Sequence, residues 1–117
     1  MNPQNTDCIF CKIIAGEIPS TIAYRDKDVV VFADIKQDVP VHMLVVPVRH
    51  IPSVAVLKDA DLPLVGKMVA AANQVAREKG LAERGYRLTI NSGADGGQDV
   101  QHLHMHLMGG RPLKWEN

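Results

Sequence analysis

The sequence predicts an α+β fold in which about five strands form an antiparallel sheet beside two helices. Three observations carry that reading. Short β-branched runs are bounded by turn residues. Strands arrive in runs rather than alternating strictly with helices. One long amphipathic segment in the middle of the chain has helical periodicity.

Residues 1–6 read as a loose tail. Residues 8–15 (CIFCKIIA) read as a short helix stopped by Gly16, and Pro19 then forces an extended entry to the first strand. Ile22–Arg25 is a brief strand and Asp28–Ala33 a β-branched one; Arg25-Asp26-Lys27 can turn between them, making a hairpin. Val41–Pro47 is a third strand, closed by its proline. Partial apolar character on both faces of these strands suggests a central position or a helix-covered face. In the helix expected over residues 61–79, Asp61 is the N-cap and Pro63 sits in the first turn. Leu62, Val65, Val69, Ala72 and Val75/Ala76 form its inward stripe, Lys67, Asn73, Gln74, Arg77 and Glu78 face solvent, and Gly80 ends it. Tyr86–Asn91 and Val100–Met108 are the last two strands, joined by the glycine-rich loop Ser92–Asp99. With no repeat, linker or low-complexity run, residues 1–117 read as a single domain.

At 117 residues and 46% apolar the chain can bury a real core. Thirteen Lys plus Arg balance thirteen Asp plus Glu. No global field therefore draws nucleic acid or an anionic membrane, and neither is expected as a partner. A phosphate-bearing ligand would be held by local dipoles and a few side chains. The polar start shows no signal peptide and the apolar runs are too short to span a bilayer. Two cysteines are too few for a secreted disulfide framework, so the cytoplasm is the expected compartment.

The central motif is Val100-Gln101-His102-Leu103-His104-Met105-His106-Leu107. On a strand, alternate side chains point to opposite faces. Three imidazoles then line an open face while Leu103, Met105 and Leu107 pack into the core. Such a row can be satisfied polar residues, a metal site or a phosphate-handling site. The loop before it favours phosphate: Gly93, Gly96 and Gly97 leave backbone N–H groups bare to turn toward an anion. Neutral imidazole is a nucleophile at physiological pH and leaves phosphorus readily, so one displacement can be split into two.

With those residues in view, the sequence resembles the histidine triad (HIT) family and, within it, the Hint branch of nucleoside phosphoramidases. The family signature alternates histidine with apolar residues and stands complete as His102-Leu103-His104-Met105-His106-Leu107-Met108. The likeness extends over almost the whole chain. It takes in Ile9 to Ile14 with Glu17-Ile18-Pro19, Phe32 to Ile35, His42 to His50, Gly85-Tyr86-Arg87, Asn91, Asp95 to Gln98, and Gly109-Gly110-Arg111 with Trp115.

The resemblance implies a five-stranded antiparallel sheet and a homodimer with a continuous ten-stranded sheet, helix 61–79 supplying much of the interface. It implies that His104 is the nucleophile that becomes nucleotidylated, that His106 contacts the phosphate and that His102 supports both from the rear. His42 is implied to orient the nucleophile, Asn91 and Gly97 to hold the phosphate, and Asp34 to bind the ribose hydroxyls. Ile9, Phe10, Ile13, Phe32, Ile35 and Leu44 correspond to an apolar slot for a purine; by their own pattern they read as plain core. Trp115 corresponds to a residue that reaches toward the partner's site. The expected ligand is a purine nucleotide of the AMP or GMP type.

Two departures stand out. Hint enzymes usually carry a serine where this chain has Asp99, which when ionised repels a phosphate and when protonated can act as a general acid. Gln101 replaces a common aromatic residue. The Cys8-x-x-Cys11 pair reads as half of a zinc site, as two thiols without metal, or as a redox dithiol. The resemblance completes the first reading with His50 and His102 as ligands of a structural zinc, catalysis itself needing no cofactor. The leading function is a purine nucleoside 5′-phosphoramidate hydrolase. The alternatives are a dinucleoside polyphosphate hydrolase or a nucleotidyl transferase, a nucleotide-binding regulatory module with weakened catalysis, and zinc storage or sensing.

Overall fold

In the computed structural model, which describes residues 7–115, an antiparallel sheet takes up five strands. These are β1 (Ile22–Arg25), β2 (Val29–Ala33), β3 (Val41–Pro47), β4 (Tyr86–Ile90) and β5 (Met105–Gly109), in the spatial order β1-β2-β3-β5-β4. Helix α1 (Ile9–Ile14) precedes the sheet and α2 (Leu62–Glu78) joins β3 to β4. The reading of residues 1–6 as a loose tail lies outside the described residues.

Local chemistry fixes the connections. Asp26 turns the β1–β2 hairpin, its Oδ1 accepting the N–H groups of Asp28 at 2.7 Å and Val29 at 2.8 Å. Cys8 caps α1 through its sulfur, which accepts the Cys11 N–H at 3.4 Å. Gly80, at φ +76°, follows α2 in the left-handed conformation that closes a helix. Asp61 stands at the N-cap of α2 but does not cap it. Its carboxylate accepts the Lys58 N–H at 3.0 Å and pairs with Arg49, so that expectation is corrected.

Both sheet faces are covered, which accounts for the doubly apolar strands. Val29, Val31, Met43, Val45, Met105 and Leu107 point toward α2. Val30, Phe32, Leu44 and Val46 point toward α1, where Phe10, Cys11 and Ile14 meet them. The inward stripe of α2 is rotated from the expected one. Met68, Ala71, Ala72, Val75 and Ala76 are buried, whereas Leu62 is exposed and Val65 and Val69 are half-buried. Two helical lines a few tens of degrees apart are both apolar here, and the sheet takes the one bearing Met68.

A second correction concerns the histidine strand. The β5 ladder begins only at Met105; residues 100–104 run as bends and irregular chain ahead of it. The β3 and β4 partners pair no further than Val45 and Ile90, and ahead of Met105 the Leu103 N–H turns instead to the Ile51 carbonyl at 2.6 Å. The alternation nevertheless persists: Leu103 packs with Met105 and Leu107 in the α2 core, while His102 and His104 turn to the other side, against Phe10.

Candidate active site

β5 and β3 build the site between them. Their register places Leu44 opposite His106 and His42 opposite Met108, so His42 and His106 are diagonal neighbours on the α1 side of the sheet. His42 Nε2 and His106 Nδ1 are 2.9 Å apart. Acceptors face both nitrogens of His42: Asp38 Oδ1 at 2.9 Å and the Lys36 carbonyl at 3.0 Å meet Nδ1, and Asp34 Oδ2 lies 3.3 Å from Nε2. His42 Nδ1 faces only oxygen acceptors and so donates, and the His42 Nε2–His106 Nδ1 contact holds one proton between the two nitrogens.

His104 is oriented by the chain just before it. Its Nδ1 donates to the His102 carbonyl at 2.7 Å, which leaves the lone pair on Nε2. The Phe10 ring meets it edge-on at 5.1 Å between centroids, and the His106 ring lies at 5.1 Å. Asp99 Oδ1 is 3.7 Å from that Nε2, on a side chain 74% exposed.

In front of His104 and His106 lies a slot of about 220 Å3. All six residues of the expected purine site line it: Ile9, Phe10, Ile13, Phe32, Ile35 and Leu44, with Asp34 and Asp99. Ile35 at 97% and Ile9 at 46% are unusually bare for large apolar side chains, which suits a rim that a flat ligand covers. Asp34 divides its oxygens, since Oδ1 accepts the Lys36 N–H at 2.9 Å. It is thus the turn cap as well as the acid at the slot.

Other expected residues stand elsewhere. His102 is fully buried behind the slot and His42 flanks it, so the three triad imidazoles do not share an open face. The glycine loop also departs from expectation. The N–H groups of Gly97 and Gln98 donate to Ala94 and Gly93 carbonyls at 3.1 and 3.0 Å, and the Gly93 N–H goes to Gln98 Oε1 at 3.0 Å. Those donors brace the loop rather than wait for an anion. Asn91 and Gly97 adjoin each other but neither lines the slot, and Trp115, 93% exposed, lies away from it. Lys36, Ser20 and Val100 line the slot unforeseen, and Asp38 was missed as the partner of His42; its spacing of four residues from His42 is the one signal that pointed there.

Behind the triad, four donors converge. Cys8 Sγ and Cys11 Sγ lie 3.3 and 3.6 Å from His102 Nδ1, Cys11 Sγ lies 3.4 Å from His50 Nδ1, and the two Nδ1 atoms are 3.2 Å apart. A tetrahedral zinc with bonds of about 2.3 Å to sulfur and about 2.05 Å to nitrogen sets edges of about 3.6 Å for S···N and about 3.3 Å for N···N. The donor set therefore fits zinc. His102 Nε2 donates to the Pro47 carbonyl at 2.8 Å, directing the bare Nδ1 at the thiols, and burial pushes this imidazole down to about 4. Asp34, His42 and His106 also bring three donor atoms within 4.8 Å, but hydrogen bonds between them already account for that grouping.

Burial also pushes His106 below the ordinary imidazole value, with His104 and His42 adding to the shift and Asp34 and Asp99 opposing it. A histidine lowered on folding costs nothing above its unfolded value of about 6.5. As pH falls through that value the unfolded chain takes up a proton that the folded chain resists, so stability declines. The urea midpoint is accordingly expected to fall between about pH 7.5 and about pH 5.5. His106→Asn should shrink that fall; an unchanged fall would contradict the assignment.

Residues 7–114 match the family model described as scavenger mRNA decapping enzyme C-term binding. The chain is 46% identical over 107 residues to purine nucleoside phosphoramidase of Escherichia coli K12, covering 92% of this chain and 90% of that one. It superposes with a TM-score of 0.91 on a HIT family hydrolase from Legionella pneumophila Philadelphia 1, at 42% identity over 93% of this chain and 97% of that one. A Zn-bound histidine triad family protein from Mycobacterium smegmatis superposes with a TM-score of 0.78, at 30% identity over 90% of this chain and 76% of that one.

Proposed function

Since this chain belongs to the histidine triad family and is a hydrolase, we propose that it cleaves purine nucleoside 5′-phosphoramidates through a nucleotidyl-histidine. The observation that carries the reading is the position of His104 Nε2. Its lone pair is set by the Nδ1 bond to the His102 carbonyl, and it borders a slot with apolar walls and a carboxylate.

In the first step the Nε2 lone pair attacks phosphorus in line and the P–N bond breaks. Its electron pair stays with the amine, which takes a proton from water as it departs. With the shared proton on His42 Nε2, His106 Nε2–H steadies charge on the phosphoryl oxygens. Asp34 accepts from the ribose hydroxyls, and the apolar walls take the purine. Water then attacks phosphorus and gives up a proton to solvent, the pair of the bond to His104 returns to Nε2, and a nucleoside monophosphate leaves. Asn91 belongs to the phosphate side and Trp115 to a partner's site, in the role their family positions carry.

Zinc on Cys8, Cys11, His50 and His102 would tie α1 to the chain entering β5. That is a structural cross-link and takes no part in either step. Residues 1–117 would act as one domain in a cytoplasmic homodimer. A dimer is supported by the place of β4 at one edge of the sheet. Among the described residues no helix is long and apolar enough to cross a membrane.

The test is turnover of an adenosine 5′-phosphoramidate beside a dinucleoside polyphosphate. Release of AMP from the phosphoramidate, at a higher kcat/KM than from the dinucleotide, is expected. Tight AMP binding with no release from either would favour a binding module.

A further inference from the structure

We propose that Asp99 is a specificity-determining residue that makes this enzyme favour phosphoramidates whose leaving amine carries a second, positive charge. The inference rests on the phosphoramidase reading and names its leaving group. Three observations converge on it.

The first is position. Asp99 lies in both the purine slot and a neighbouring cleft of about 540 Å3, sharing Ile9 and Val100 between them. With the base in the slot, the cleft is the adjoining space into which a leaving group near His104 can extend. The second is charge. The described walls of the cleft include Asp7 and Asp99, with His50, Pro52 and Gln101, and no Lys or Arg. His50 turns Nδ1 toward Cys11, 3.4 Å away, and so toward the metal donors.

The third is the cost of the carboxylate itself. With Oδ1 3.7 Å from the attacking nitrogen and its side chain 74% exposed, Asp99 faces the phosphate as one anion faces another. Among the described residues no Lys or Arg pairs with it, and His104, attacking with the lone pair on Nε2, carries no charge to offset it. An ammonium on the departing chain changes this repulsion into an attraction at the same atom. A serine there, as is usual in the Hint branch, can do neither.

The test compares three adenosine 5′-phosphoramidates of matched length, made from pentylamine, 1,4-diaminobutane and 4-aminobutanoate. The reacting nitrogen is alike in the three, while the far end is neutral, cationic or anionic. kcat/KM is measured for each with wild type, Asp99→Ser and Asp99→Asn. The wild type is expected to favour the cationic chain over the neutral one by about fivefold, the scale of a solvent-exposed ion pair, and to disfavour the anionic chain. Both variants should bring the ratios close to one, and added salt at about 0.5 M should compress the wild-type ratio. Each ratio is taken within one protein, so a general loss of activity in a variant cancels. Equal ratios in wild type and Asp99→Ser would overturn the inference and leave the phosphoramidase reading standing. If none of the three substrates is turned over by the wild type, the phosphoramidase reading fails and the inference falls with it.

Discussion

His104→Ala is expected to lower phosphoramidate turnover by about 10^4-fold or more while the fold and nucleotide binding survive. The size follows from the role: removing a nucleophile removes the covalent route, and only binding and positioning remain. Binding should persist because the slot is lined by Ile9, Phe10, Ile13, Phe32, Ile35 and Leu44, which in the proposed reading take the base rather than the phosphorus. His104 is 3% exposed, so alanine also leaves a small cavity beside Phe10 and stability should drop modestly. A control at His106 separates the roles. His106→Asn keeps a side-chain donor near the phosphate and should cost about 10^2-fold, well short of His104→Ala. Steady-state kinetics with AMP titration would check both, and similar losses for the two variants would contradict the division of labour.

Cys11→Ser is expected to release the metal and to lower stability by about 3 kcal/mol or more, a fall in Tm of roughly 10 °C or more. Cys11 Sγ faces both His50 and His102, so with zinc on the four donors its loss would remove one ligand and leave a buried imidazole without a metal partner. Activity should fall as well, because one residue serves both sites. The His102 side chain reaches the thiols while its carbonyl holds His104 Nδ1 at 2.7 Å. Elemental analysis should find one zinc per wild-type chain, and a chelator should reproduce the loss of stability in the wild type but not in Cys11→Ser. A wild type free of zinc with an unchanged Tm would contradict the assignment.

How much of the fold a sequence conveys depends on the range of each signal. Period-two alternation is local, so the split between His102, His104 and His106 on one side and Leu103, Met105 and Leu107 on the other was legible. Where the ladder begins was not, because that depends on how far β3 and β4 extend beside it. The four metal donors come from α1, the end of β3 and the approach to β5. Cys8 and Cys11 announce themselves by spacing, but His50 and His102 join them only through the fold. The apolar slot was illegible from periodicity because apolar residues on α1, β2 and β3 look like core until the chain is seen to leave a gap between them. Family resemblance, not pattern, supplied it. The glycine loop misled because Gln98 and the Gly93 carbonyl satisfy donors that seemed available. Trp115 stands 93% exposed, and its expected place at a site depends on a second copy of the chain.

The most direct measurement is intact-protein mass after rapid acid-free quenching of the wild type with an adenosine phosphoramidate, followed by peptide mapping. An adenylyl group on His104, appearing within the first turnover and absent in His104→Ala, is the expected result. A wild type that turns substrate over yet never carries nucleotide on that imidazole would contradict the account.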